Sequence, residues 1–164
     1  MSKLLNDIAG SLIKKKLSLS VCESCTGGML GSIITSEPGS SKYFCGGVIA
    51  YSNEVKQRVV GVKQITLKRF GAVSAEVARE MAQGVRKKFK ADISISITGI
   101  AGPAGGSKKK PVGLVYLCVA VRHHVYVEHH IFKGSRNQIR KEACDKALRL
   151  LERVLIQHES KIES

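Results

Sequence analysis

The segment Val112-Gly-Leu-Val-Tyr-Leu-Cys-Val-Ala-Val121 is almost unbroken in apolar character. A strand with one wet face alternates apolar and polar residues, so a run of this kind marks a strand covered on both faces. It demands a sheet with helices packed on either side. Ile93, Ile95 and Ile97 alternate with Ser94, Ser96 and Thr98 as a second strand, with one bulky and one small face.

The other elements follow from period and punctuation. Leu4 to Lys16 reads as a helix and Leu17 to Cys22 as a strand. The next helix starts at Gly27-Gly28, with Ser24 or Thr26 as its cap, and ends at Pro38-Gly39. Gly46 to Tyr51 reads as a strand and Asn53 to Val60 as a helix stopped by Gly61. Ser74 caps a helix that carries Ala78, Met81, Ala82, Val85 and Phe89 on one face. Val125 to Phe132 pairs with the apolar run as a hairpin. Ser135 and Gln138 form a capping box that opens a long helix with Ile139, Ala143, Ala147, Leu150, Val154 and Leu155 as its core stripe. Four or five strands interleaved with about as many helices predict a layered α/β sandwich with a mixed sheet. No linker or internal repeat divides the 164 residues, which read as a single domain, 1–164.

Composition narrows the function classes. With 43% hydrophobic residues a disordered chain is excluded, and 27 basic against 13 acidic residues give +14, which suits an anionic partner. No run approaches the ~18–20 apolar residues of a membrane span, and Met1 to Ser20 lacks signal-peptide features, so a cytoplasmic protein is expected. Five cysteines at irregular spacing read as reduced thiols. Cys22 and Cys25 form a CxxC with no second half, and of His123, His124, His129 and His130 adjacent pairs point to opposite strand faces. No metal is expected.

In α/β sheets ligands sit at strand ends, which singles out Glu23 to Gly28, Pro38 to Lys56 and Thr98 to Gly113. Thr98 to Ser107 is rich in small residues and backbone N–H groups, a composition that suits an anion-binding loop and a plain surface loop alike. It matches neither the GxGxxG dinucleotide fingerprint nor a Walker A loop, since Gly-Lys occurs nowhere in the chain. For covalent chemistry the candidates are Ser40 or Ser41 with Tyr51 and Lys56, because a lysine held neutral can take a serine's proton. Ser11/Lys14 and Ser107/Lys110 are weaker Ser-x-x-Lys matches. Lys108-Lys109-Lys110 suits attraction of an anion and mere solvation equally.

The ordered motifs Glu23-Ser-Cys-Thr-Gly-Gly28, Pro38-Gly-Ser-Ser41, Tyr51-Ser-Asn-Glu54 with Lys56, Gly71-Ala-Val-Ser74, Thr98-Gly-Ile-Ala-Gly-Pro103 and Lys110-Pro-Val-Gly113 resemble the CinA C-terminal domain family, over roughly residues 5 to 157. That family includes the stand-alone nicotinamide-nucleotide amidohydrolases. The resemblance implies a three-layer α/β/α sandwich, dimeric or higher, that hydrolyses nicotinamide mononucleotide to nicotinate mononucleotide and ammonia without cofactor or metal. By position it implies Ser41 as nucleophile, with Tyr51 and Lys56 as its partners. Ser24, Thr26, Gly27, Gly28, Ser40, Asn53, Thr98, Gly99, Ala101, Gly102 and Lys110 are implied as substrate-binding residues. Backbone N–H groups near Ser41 or in the Thr98 to Gly102 loop would stabilise the oxyanion.

Gly46 and Lys109 depart from the family's pattern, which often has arginine and an acidic residue there; these departures bear on phosphate binding and on the charge of the pocket mouth. The larger N-terminal domain of the full CinA protein is absent from the chain, so its activity is not expected. The alternative is a non-catalytic nucleotide- or nucleic-acid-binding module, linked to competence or DNA damage. Only 5% of residues are aromatic and none is Trp, which argues against nucleic acid as the partner.

Overall fold

The computed structural model describes residues 2–162. The elements are α1 (Ser2–Lys14), β1 (Leu19–Glu23), α2 (Met29–Thr35), a 3-10 turn (Ser40–Lys42), β2 (Phe44–Ile49), α3 (Asn53–Arg58), α4 (Gln64–Phe70), α5 (Ala75–Phe89), β3 (Ile93–Gly99), β4 (Leu114–Val121), β5 (His124–Ile131) and α6 (Arg136–Ile162). The strands form one mixed sheet in the order β2-β1-β3-β4-β5. β1 runs parallel to β2 and β3, and β4 and β5 complete the sheet as an antiparallel hairpin.

The alternation of β3 sorts the two faces. Ile93, Ile95 and Ile97 join Val115, Leu117 and Val119 of β4 under α1, α2 and α6. On the other face the small residues let α5 come close: Ser94 Oγ donates to the Ala82 carbonyl at 2.7 Å and Ser96 Oγ to the Ala78 carbonyl at 2.6 Å. Cys118 and Ala120 of β4 pack against Ala78 and Ala82 on this side. The apolar run is therefore a strand buried on both faces, and the architecture is a three-layer α/β/α sandwich. Burying side chains the size of Leu or Ile contributes ~1.5–3 kcal/mol each, so this doubly covered strand anchors the core.

The capping box is present. The Ser135 N–H donates to Gln138 Oε1 at 2.7 Å and the Gln138 N–H to Ser135 Oγ at 3.4 Å. One helix escapes sequence reasoning. α4 lacks a side-chain cap of its own, and Glu80 of α5 supplies it, accepting from the Lys63 N–H and Thr66 Oγ1, each at 2.8 Å. Gly84 lets α5 pass the end of α3, because a Cβ there would meet the Val60 carbonyl oxygen at 1.7 Å. No helix among the described residues is long and apolar enough to cross a membrane.

Candidate active site

The carboxyl ends of β1, β2 and β3 lie together at one edge of the sheet, as their parallel register requires. Ser24 follows β1 directly, and its N–H is fixed by the Ile97 carbonyl at 2.9 Å. Beyond β2, Ser52 caps α3 by accepting from the Val55 N–H, which turns Lys56 inward. Lys56 is only 1% exposed. Its Nζ lies 2.9 Å from Ser24 Oγ, 2.8 Å from the Ala50 carbonyl and 3.0 Å from the Tyr51 carbonyl. Burial pulls the Lys56 ammonium below the ordinary lysine range. A neutral amine has two N–H donors and one lone pair. In the charged form all three partners accept from the ammonium; in the neutral form the two carbonyls, which can only accept, take both N–H groups and leave the lone pair for the Ser24 hydroxyl.

The neighbouring thiols do not compete as nucleophiles. Burial pushes Cys25 up to about 11 and Cys22 to about 12, so both are protonated at neutral pH.

Glu23, 2% exposed, is the carboxylate nearest this pair in sequence. It accepts from the N–H groups of Gly28 at 3.1 Å, Leu30 at 3.0 Å and Gly31 at 2.9 Å, and so closes the open N-terminus of α2. Gly28, at φ 96°, is the N-cap position, so neither Ser24 nor Thr26 caps this helix as the sequence suggested. Ser24 is thereby left for Lys56. Thr26, Gly27 and Gly28 shape the turn behind Ser24 without lining the cleft. Arg140 holds that turn by donating to the Thr26 carbonyl at 2.7 Å.

In front of the pair is an open cleft of about 280 Å³. Ser24, Tyr51, Asn53 and Lys56 line one side, and the segment 98–102 lines the other. The Thr98 hydroxyl is occupied by the Ala72 carbonyl at 2.8 Å, so this residue contributes walls and backbone. Among the described residues no main-chain acceptor takes the N–H of Cys25, Ala101 or Gly102. These N–H groups are open to a ligand.

Several expected residues fall elsewhere. β2 pairs with β1 from Leu19↔Phe44 to Glu23↔Ile49, so the turn carrying Ser40 and Ser41 lies at the opposite end of the strand from Tyr51. At ~3.3 Å per residue that separation is roughly 20 Å. Ser41 is exposed there and does not line the cleft. Lys56 meets Ser24 instead. Tyr51 touches Lys56 through its carbonyl, while its hydroxyl accepts from Arg136 at 2.9 Å. Lys110 is a strap: its Nζ donates to the Phe70 and Val73 carbonyls, each at 2.6 Å, and it does not line the cleft. Lys109 is exposed and Gly46 sits in β2 against Phe89, so neither departure from the motif pattern touches the cleft.

The charged lining residue that sequence reasoning missed is Arg136. It begins α6, where the helix dipole disfavours a cation, and that breach of the rule was the signal available. A larger groove of about 600 Å³ lies between α4 and α5, but its Glu80 is occupied in capping α4 and no Ser, Cys or His lines it. Among the described residues no cluster of three His, Cys, Asp or Glu could hold a metal ion.

A family model of the CinA C-terminal domain matches residues 1–155. A CinA-like protein of Syntrophomonas wolfei is 51% identical over 152 residues, which cover 93% of this chain and 36% of that protein. A CinA-like protein of Thermotoga maritima is 45% identical over 152 residues, 92% of this chain and 37% of that protein. The chain thus spans about a third of the length of the curated relatives it matches. Among solved structures, a CinA superfamily protein from Klebsiella pneumoniae aligns with a TM-score of 0.91 at 31% identity, covering 94% of this chain and 97% of that one. A competence/damage-inducible protein from Agrobacterium tumefaciens aligns at 0.87 with 38% identity and 93% coverage of both chains.

Proposed function

The chain belongs to the CinA C-terminal domain family, and on that premise we propose that it is a cytoplasmic serine amidohydrolase that converts nicotinamide mononucleotide to nicotinate mononucleotide and ammonia. One observation carries the reading: the buried Lys56 amine, 2.9 Å from Ser24 Oγ, with both of its N–H groups matched by backbone carbonyls. A buried lysine without a carboxylate partner serves stability poorly. It serves well as the base of a serine nucleophile.

Lys56 takes the Ser24 proton as Oγ bonds to the carboxamide carbon. The tetrahedral oxyanion is met by peptide N–H groups from Cys25 and from Ala101 or Gly102. The ammonium returns the proton to the departing nitrogen as the C–N bond breaks, and ammonia leaves. Lys56 then deprotonates water, which cleaves the ester, frees nicotinate and restores Ser24. Each oxyanion donor is worth ~3–4 kcal/mol of barrier in such sites. Tyr51 supports the base through its carbonyl. Ser24 rather than Ser41 is the nucleophile in this reading.

Ammonia release from nicotinamide mononucleotide by purified protein, with Ser24→Ala and Lys56→Met as controls, tests the proposal. Stoichiometric turnover that both substitutions abolish is expected. Absence of turnover by the wild-type protein, with the nucleotide bound, would instead mark a binding module.

A further inference from the structure

We infer that Arg140 is a positioning residue for the proposed nucleophile: from α6 it grips the turn that carries Ser24 and holds the Cys25 N–H on the cleft side, so that it governs turnover without touching substrate. The inference rests on the amidohydrolase reading and deepens it, from the reacting groups to what keeps them aligned.

The turn has little of its own to hold it. Ser24 to Gly27 closes by one hydrogen bond, from the Gly27 N–H to the Ser24 carbonyl at 3.1 Å. A trans peptide points its N–H opposite to its C=O. With the Ser24 carbonyl turned back to Gly27, the Cys25 N–H faces out of the turn, and Cys25 lines the cleft. Gly27 and Gly28 follow at φ 57° and 96°, left-handed conformations that leave no side chain to pack. Thr26 is fully buried, yet its Oγ1 has no hydrogen-bond partner. The ends of the turn are fixed, by the Ile97 carbonyl at the Ser24 N–H and by Glu23 at the Gly28 N–H. No side chain of the turn itself fixes its middle.

Arg140 supplies that anchor from 114 residues away. One terminal nitrogen donates to the Thr26 carbonyl at 2.7 Å, shorter than the 3.2 Å of the Met29 N–H on the same oxygen. The other meets only Asn137 Oδ1, a neighbour on α6, at 3.3 Å. Nε is buried without a hydrogen-bond partner, and among the described residues no ion pair engages this guanidinium. A half-buried cation so poorly matched contributes little to stability, because no carboxylate offsets its desolvation.

What it does contribute is direction. A guanidinium presents its N–H groups in a fixed plane, and α6 is seated on the sheet by Ile139 and Ala143 on either side of Arg140. Arg140 also draws the Cys25 thiol downward electrostatically, against its burial, which places the charge close to the residue that offers the N–H. Misplacing reacting groups by about 1 Å costs on the order of 10²-fold in rate, so a slack turn would be felt in catalysis before it is felt in the fold.

The test compares wild type with Arg140→Met, Arg140→Gln, Arg140→Lys and Leu151→Ala, each confirmed folded by its thermal melt. Two reactions are followed: kcat and KM for ammonia release from nicotinamide mononucleotide, and the rate at which an alkyl fluorophosphonate labels Ser24, located by mass spectrometry. In labelling, Ser24 Oγ bonds to phosphorus, fluoride leaves and Lys56 takes the proton, so the rate reads the aligned nucleophile without the amide. Arg140→Met and Arg140→Gln should lower both kcat and the labelling rate about 10- to 100-fold, with KM within about threefold of wild type. Arg140→Lys should recover part of the loss, since it keeps a donor and the charge but not the fork.

Leu151→Ala loosens α6 against the core without touching the turn. It should lower Tm more than Arg140→Met does, yet keep both rates within a few-fold of wild type. Where wild type is labelled, a labelling rate in the folded Arg140 variants within about threefold of wild type overturns the inference; where it is not labelled, kcat decides in the same way. Leu151→Ala losing as much rate as Arg140→Met also overturns it, because general loosening would then suffice. A rise in KM at unchanged kcat overturns it too, by making Arg140 a binding group. If wild type is labelled at Ser24 but releases no ammonia, the amidohydrolase reading fails and the labelling rates alone decide the role of Arg140. Neither turnover nor labelling in wild type removes the nucleophile, and the inference with it.

Discussion

Ser24→Ala tests the proposal that the nucleophile is Ser24 and not Ser41, the serine that the sequence motifs implied. The substitution removes Oγ from a residue that is 8% exposed, and leaves Lys56 Nζ with the Ala50 and Tyr51 carbonyls at 2.8 and 3.0 Å. In the proposed neutral form both N–H groups of the amine stay bonded, and the unfilled position is the lone pair. The fold should lose only the net worth of one hydrogen bond, about 1 kcal/mol. In a chain of 164 residues that is a drop in Tm of about 2–4 °C. The chemistry should lose its nucleophile, at least ~10⁴-fold in kcat, which is about 5.4 kcal/mol of barrier at 1.36 kcal/mol per tenfold. Ammonia release, with the nicotinate product followed by chromatography, reads the second quantity, and a thermal melt reads the first. Ser41→Ala, a strand's length away, should stay within a few-fold of wild type. A folded Ser24→Ala protein that keeps more than about a tenth of wild-type kcat would refute the assignment, as would a folded but inactive Ser41→Ala.

Five further outcomes follow from particular contacts. Because Lys56 acts as the neutral base and burial lowers its pKa, kcat/KM should fall about tenfold per pH unit below an apparent pKa that lies under the ordinary ~10.4 of lysine. Lys56→Arg, charged at all accessible pH, should show no turnover at any pH. The same shift makes the unfolded chain hold more protons between the lowered and ordinary values, so urea melts should show stability rising with pH across that window and flat below it. Glu23→Gln swaps the charge that closes α2 for a neutral group, and should cost about 1–2 kcal/mol in denaturant melts. Gly113→Ala places a Cβ 2.0 Å from the Phe132 carbonyl oxygen at φ 93°, and a loss of at least ~2 kcal/mol or failure to fold is expected.

What the sequence made legible were features whose cause is local. The doubly buried strand β4, the two-faced β3, the Ser74 cap and the Ser135/Gln138 box all depend on residues within one element, and all are present. What it hid depends on partners far along the chain. α4 is capped by a glutamate 17 residues beyond Lys63, so its own first turn carries no signal. Ser24 and Thr26 looked like helix caps because both are favoured cap residues standing just before the start of α2. The true closing group, Glu23, reaches forward from the strand. Ser41 lies away from the cleft for a topological reason: β2 separates it from Tyr51, and closeness in sequence across a strand is distance in space.

The placement of Glu23 joins the fold to the proposed chemistry. A carboxylate beside a buried lysine would pair with it, hold the ammonium charged and remove the base. Here the sheet register sets β1's last residue against the open end of α2, where three N–H groups and the helix dipole stabilise the negative charge. Lys56 then faces only uncharged acceptors, and Arg136 stays free of an acidic partner. The same contact that closes a helix thus keeps Glu23 from pairing with Lys56 and leaves the cleft without an acidic side chain. Glu23→Gln provides the check, because it retains the approximate shape and removes the charge. If Glu23 acts only on the helix, stability falls while the acidic limb of the pH profile stays in place. If its charge still reaches Lys56, the limb moves to lower pH, since removing a nearby negative charge favours the neutral amine. The three-point clamp predicts the first result, and a shift of more than about half a pH unit would show that the clamp does not isolate it.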